Sequence, residues 1–173
     1  MRNMNKIVVI GCPGSGKSHF SRQLHNKTGI ALYHLDMMYW NSDKTTVEKE
    51  VFLDRLNDVL EKESWIIDGN YISTMELRIS KCDTVIFLDY PTEICLEGVR
   101  QRRGKARDDM PWVENDEDSE FIEYIKSFNK QQRPVVMAML EESKLAKRIL
   151  RFSGREEAEM FLHSYSLEDE ICK

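Results

Sequence analysis

Glycines, a lysine and a serine occur here in the run Gly11-Cys12-Pro13-Gly14-Ser15-Gly16-Lys17-Ser18, a complete match to the pattern G-x-x-x-x-G-K-[ST]. Residues without Cβ atoms let successive N–H groups turn inward to form an anion-binding concavity. The pattern predicts that these eight residues cradle the phosphates of ATP. Lys17 is expected to reach the β- and γ-phosphates, and the Ser18 hydroxyl to ligate Mg²⁺. Cys12 occupies a spacer position of the loop, where an inert thiol is expected.

A second set of chemistry-bearing residues stands at the ends of apolar runs. Residues 6–10, 31–35, 65–67, 85–88 and 148–152 read as strands, and Asp36, Asp68 and Asp89 follow the second, third and fourth of them. In an open parallel sheet, ligands sit beyond the carboxyl ends of the strands, so these carboxylates are candidates to face the triphosphate. A turn or helix N-cap is the competing use, above all for Asp89. Asp36, close to His34, Tyr39 and Trp40, is suited to accept a hydroxyl proton as a general base. The two aromatics serve either as a pocket wall or as core.

The elements that must position these groups are legible as an alternation. The first run is β-branched and continuous, as for a parallel strand covered on both faces. A helix is predicted from Lys17 onward, with its positive N-terminus toward the phosphates. Further helical spacing covers residues 47–62, 92–103, 120–132, 135–144 and 155–163. Strands alternating with helices imply right-handed crossovers, hence a doubly wound α/β domain with helices on both faces. Residues 104–118 read as a long loop.

Bulk properties narrow the function. The 173 residues, 41 % hydrophobic and 32 % charged, suit one domain with one sizeable core. No apolar run approaches a membrane span, and the polar start is not expected to be a signal peptide, so a cytoplasmic location is expected. Cys12, Cys82, Cys95 and Cys172 show no C-x-x-C spacing, and the histidines are scattered, which points away from a disulfide framework or a zinc site. A net charge of −5 argues against direct binding to DNA. Basic character is local, in Arg100, Arg102, Arg103, Lys105 and Arg107, for which a solvated helix face is the plainer use.

Residues 65–71 (Trp-Ile-Ile-Asp-Gly-Asn-Tyr), residues 84–91 and the run Arg100-Gln101-Arg102-Arg103 resemble the adenylate kinase-like P-loop kinases. Residues 33–40, 67–71 and 103–105 with 109–112 are similar, more narrowly, to bacterial proteins labelled DNA topology modulation protein, or FlaR-like. The resemblance implies a five-stranded parallel sheet of order 2-3-1-4-5, with a lid over about 100–118 and an acceptor-binding segment over about 36–71. It implies that Asp68 is the Walker B carboxylate that holds Mg²⁺ through water. It also implies that Arg100, Arg102, Arg103 and Arg107 are lid arginines, and that Ser153, Gly154 and Arg155 lie against adenine. Nucleoside monophosphate kinases usually follow the Asp-Gly pair with Phe-Pro-Arg, whereas Asn70 and Tyr71 stand here and the next arginine is Arg78. Gly98 likewise stands where those kinases tend to carry an arginine, so AMP is not implied as acceptor.

The expected activity is therefore transfer of the γ-phosphoryl group of ATP to a small-molecule acceptor, a nucleoside or nucleotide among the candidates, by a monomer or weak dimer. Lys17, Asp36, Arg100, Arg103 and Arg107 are the candidate catalytic residues. The alternative is an ATP-binding switch that acts on a partner or on DNA topology without transferring phosphate.

Overall fold

In a computed structural model, which describes residues 4–116 and 118–171, the elements alternate as expected. Cys172 and position 117 of the 100–118 segment lie outside the described residues. Strands β1 (Lys6–Gly11), β2 (Leu32–His34), β3 (Trp65–Asp68), β4 (Thr84–Leu88) and β5 (Arg148–Phe152) form one parallel sheet in the order β2-β3-β1-β4-β5. Helices α1 (Lys17–Thr28), α2 (Leu35–Tyr39), α3 (Lys49–Leu60), α4 (Ile72–Lys81), α5 (Thr92–Arg102), α6 (Ser119–Gln131), α7 (Arg133–Ser143) and α8 (Arg155–Ile171) surround it.

The continuous apolar run of β1 is explained by a core on each side. Ile7 and Val9 point to one face, where they meet Phe20 and Leu24 of α1, Val99 of α5, Ile125 and Phe128 of α6 and Leu162 of α8. Val8 and Ile10 point to the other, with Phe52 and Leu56 of α3, Met75 and Ile79 of α4 and Val136 of α7. This is the period-2 alternation of a strand buried on both sides. Each such side chain contributes about 1.5–3 kcal/mol by leaving water. None of the helices among the described residues is long and apolar enough to cross a membrane.

One expectation needs correction, and one helix was not foreseen. The second strand ends at His34, and the chain turns at once into the short helix α2, so Asp36 sits in a helical first turn and not at a strand end. Residues 72–81 form the helix α4, which periodicity alone did not suggest. Its inward face carries Thr74 and Arg78 beside Met75 and Ile79, and that polarity masks the apolar stripe.

Helix α5 fixes the loop that follows β1 by direct contact of backbones. A Cβ on Gly14 (φ +85°) would lie 1.9 Å from the carbonyl oxygen of Cys95, and one on Gly98 would lie 2.1 Å from that of Gly14. Neither approach tolerates a side chain, because the obstructing atoms are main chain. This accounts for glycine at position 98, where an arginine was the comparison. Gly98→Ala is expected to force loop and helix apart, lowering stability by about 1–3 kcal/mol. The check is a lower urea midpoint at unchanged slope.

Candidate active site

The loop Gly11–Ser18 leaves β1 between β3 and β4 and enters α1 at Lys17. Because α1 starts there, the N–H groups of its first turn have no intrahelical acceptor and are available to an anion. Gly16, left-handed at φ 91°, caps the helix start without a side chain in the way. The turn is closed by the Ser15 N–H donating to the Cys12 carbonyl at 3.0 Å, and the Gly11 N–H donates to Asn70 Oδ1 at 3.0 Å. Asn70 follows β3, so the loop is tied on that side as well as to α5.

Lys17 Nζ folds back over the loop and donates to the carbonyls of Gly11 at 2.9 Å and Cys12 at 3.2 Å. Burial lowers its pKa, against the opposing charges of Asp68 and Asp36. Pro13, Gly14, Gly16, Lys17 and Ser18 line a cavity of about 1340 Å³, whereas Gly11, Cys12 and Ser15 form the turn's buried back. The Cys12 thiol meets Cys95 there, and that contact followed by burial raises its pKa, in keeping with an inert group.

Two carboxylates from the sheet's carboxyl edge reach the cavity. Asp68, only 4 % exposed, holds His34 Nδ1 through Oδ1 at 2.9 Å, while its Oδ2 is buried without a hydrogen-bond partner. Burial alone would lower the His34 pKa, but the hydrogen bond and charge of Asp68 outweigh it and the net shift is upward. Asp36 accepts a hydrogen bond from the Tyr71 hydroxyl at 2.7 Å. Burial raises the Asp36 pKa, with the charges of Asp68 and Asp109 adding to that, against the lowering effects of the Tyr71 hydrogen bond and Lys17.

The third expected carboxylate is elsewhere. Asp89 accepts from Arg133 Nε and Nη2 at 2.8 and 2.9 Å and from Arg151 Nε at 2.7 Å, a clasp joining β4, β5 and α7 away from the cavity. Asp109 takes the place left at the cavity. It is 4 % exposed, and its Oδ2 accepts from the Ser18 hydroxyl at 2.6 Å. The motif Asp109-Met110-Pro111-Trp112 was visible in the chain, but nothing local assigns it to Ser18, 91 positions away.

The arginines divide. Arg102, Arg103 and Arg107 line the cavity; Arg102 pairs with Glu114 at 2.9 Å, and Arg107 lies 3.4 Å from Asp109 and 3.6 Å from Glu114. Arg100 instead lies on the solvent side of α5, 3.9 Å from Glu97. Of the residues expected near adenine, Arg155 reaches the cavity rim, whereas the Ser153 hydroxyl and N–H both donate to Glu157, at 2.8 and 2.7 Å, in a cap at the start of α8. Gly154 lines a separate, shallow depression beside Glu93 and Glu97.

Tyr39 and Trp40 are both wall and packing. They line the cavity with Tyr71 and Trp112, and Tyr39 also stacks edge-on with Phe52 at 5.3 Å. Trp40 meets Trp112 edge to face at 5.1 Å, which joins α2 to the segment after α5. Arg78, fully buried, donates to the carbonyls of Gly69, Asn70 and Tyr71 and is brought down to about pKa 10 by burial. It holds the turn after β3, including Tyr71 at φ 35°, and does not face the cavity.

The described residues include no group of three or more His, Cys, Asp or Glu arranged to hold a metal ion unaided. Ser18 and the unpartnered Asp68 Oδ2 nonetheless fit Mg²⁺ delivered with phosphates, since that ion takes one or two carboxylates and completes its shell with phosphate oxygens and water.

No protein-family model matches the chain, and no curated protein matches it. Solved structures do. A shikimate kinase from Acinetobacter baumannii, in complex with shikimate, superposes with a TM-score of 0.60 at 18 % identity, covering 92 % of each chain. The shikimate kinase from Aquifex aeolicus superposes with a TM-score of 0.57 at 20 % identity, covering 95 % of each. With the strand order β2-β3-β1-β4-β5, these matches show that the chain shares the fold of those two structures.

Proposed function

We propose that this protein is an ATP-dependent phosphotransferase that phosphorylates a hydroxyl group of a small molecule. The observation that carries this reading is the convergence of Lys17, Ser18, Asp36 and Asp68 on one cavity. A phosphate cradle and a metal-binding edge sit beside a carboxylate whose raised pKa suits a proton acceptor. Phosphoryl transfer is catalysed chiefly by positioning and by cations aimed at the transferring group, and these residues supply both. Ser18 and Asp68 would hold a phosphate-borne Mg²⁺, which would supply charge neutralisation at the phosphates. Asp36 takes the acceptor's hydroxyl proton, and Arg103 and Arg107, with Arg102, stabilise the transferring phosphoryl group from the 100–118 lid. Residues 36–71 form the acceptor side.

The character of that side bears on the acceptor. Tyr39, Trp40, Tyr71 and Trp112 give it flat apolar walls, while Arg78 is committed to backbone carbonyls and Arg55 to the Met38 carbonyl at 2.8 Å. The flat walls favour a hydroxyl compound with a flat face, a nucleoside for example, and Lys44 is the cation that this segment presents to the cavity. A switch acting on a partner or on DNA is less well supported, because Arg102 and Arg107 face acids inside the cavity instead of forming a displayed basic surface. The narrower likeness to DNA topology modulation proteins rests on the sequence motifs alone.

The test is ADP formation with a panel of nucleosides, nucleoside monophosphates and hydroxy acids. Turnover is expected with a flat hydroxyl acceptor, and bound ATP with no ADP from any member would sink the proposal. Asp36→Asn is expected to keep ATP binding and lose about 10²–10⁴-fold in kcat, the usual contribution of a general base. Lys17→Ala should weaken ATP binding and reduce transfer at least about 100-fold with the fold intact.

The pH dependence has a definite sign. Asp36 must be ionised to accept a proton, so kcat/KM should fall as pH drops through a value above the ordinary carboxylate range. Tyr71 donates to the charged form, so Tyr71→Phe should move that limb to still higher pH, as read from a pH–rate profile. In the stability ledger the sign is opposite: the contribution of Asp36 is full below the ordinary carboxylate pKa and fades as pH rises through the raised one.

A further inference from the structure

Asp109 lies in none of the elements that carry the phosphate site, yet it is the group that contacts the expected metal ligand. It comes from the stretch after α5, is 4 % exposed, and its Oδ2 accepts the Ser18 proton at 2.6 Å. A serine hydroxyl has one proton and two lone pairs. With the proton directed at Asp109, both lone pairs of Ser18 Oγ are left for a cation. The other oxygen, Asp109 Oδ1, is buried without a hydrogen bond and lies 3.9 Å from Arg22 Nη1, while Oδ2 also lies 3.4 Å from Arg107 Nη1. Asp68 Oδ2 is buried and unpartnered in the same cavity.

These two orphaned carboxylate oxygens are the observation that points to a ligand. Buried anionic oxygens are satisfied by donors or metals in folded proteins, and leaving them bare is costly. His34 Nδ1 is held by Asp68 through Oδ1, which leaves Oδ2 as the free oxygen of that carboxylate.

We propose that Asp109 is a working part of the divalent-cation site. It orients Ser18 toward the ion and adds its own negative charge to that of Asp68. The ligand class is a divalent cation carried by nucleotide phosphates, so the inference rests on the nucleotide-binding reading above. A consequence is linkage: because Asp109 belongs to residues 104–116 and Ser18 to α1, the cation holds that segment down, and the segment in turn tightens the cation.

The experiment uses Mn²⁺ as the probe, with its free fraction followed by electron paramagnetic resonance in the presence of ADP. Affinity for ADP without metal is measured in parallel by calorimetry. Partners behind a ligand typically govern affinity 10–100-fold. Asp109→Asn, which keeps the shape, and Asp109→Ala should each weaken Mn²⁺ binding about tenfold or more, with metal-free ADP binding changed less than twofold. Mn²⁺ should also slow amide exchange in residues 104–116 of the wild type and not of Asp109→Asn. Mn²⁺ affinity within twofold of wild type in Asp109→Asn, with ADP still bound, overturns this inference and leaves the nucleotide reading intact. So does the absence of Mn²⁺-dependent protection in the wild type. A wild type that takes up no ADP overturns both.

Discussion

A half-buried lysine ammonium drawn back over its own loop is the constraint around which the cavity is organised. Lys17 is held by two carbonyl oxygens of its own loop, and burial works against its charge. Withdrawing a cation from water without compensation is costly, so its surroundings must be electronegative. Asp68 and Asp36 supply that, and their own burial is tolerable because Lys17 is near. On the proposed function an incoming polyphosphate would enter this balance as a further anion, and Arg102, Arg103 and Arg107 line the same cavity to meet it. The site is a set of mutually neutralising charges whose partners can be exchanged.

What could be read from the chain follows from what is local. The phosphate loop needs eight consecutive residues between a strand and a helix, and both flanks are written in their apolar periodicity. The sheet order came from resemblance and is observed. Asp68 was placeable because β3 is short and ends on it. Asp36 was recognisable as a carboxylate near the site, but its place in α2 depends on a turn that Leu35, fully buried, makes by seeking the core.

The misreadings share a physical origin. Asp89 looks like Asp68 in sequence, each following an apolar run, and only the tertiary positions of Arg133 and Arg151 decide that it serves as a clasp. Asp109 gains its role from a contact across 91 positions. Arg78 has the outward character of an exposed charge in a helix, yet it turns inward to satisfy three carbonyls that the turn after β3 leaves without strand partners. Charged residues are where sequence is least informative, because their placement depends on partners and not on polarity.

The contact between Gly14 and α5 has a kinetic and entropic meaning. Ordering one residue's backbone costs about 1–2 kcal/mol in conformational entropy. A loop wedged against Cys95 and Gly98 on one side and tied to Asn70 on the other loses that freedom when the chain folds, not when a ligand arrives. Recognition at this loop is therefore preorganised. A ligand bound there would meet a loop whose shape is already set, so differences among ligands would fall on the aromatic wall where Trp112 meets Trp40.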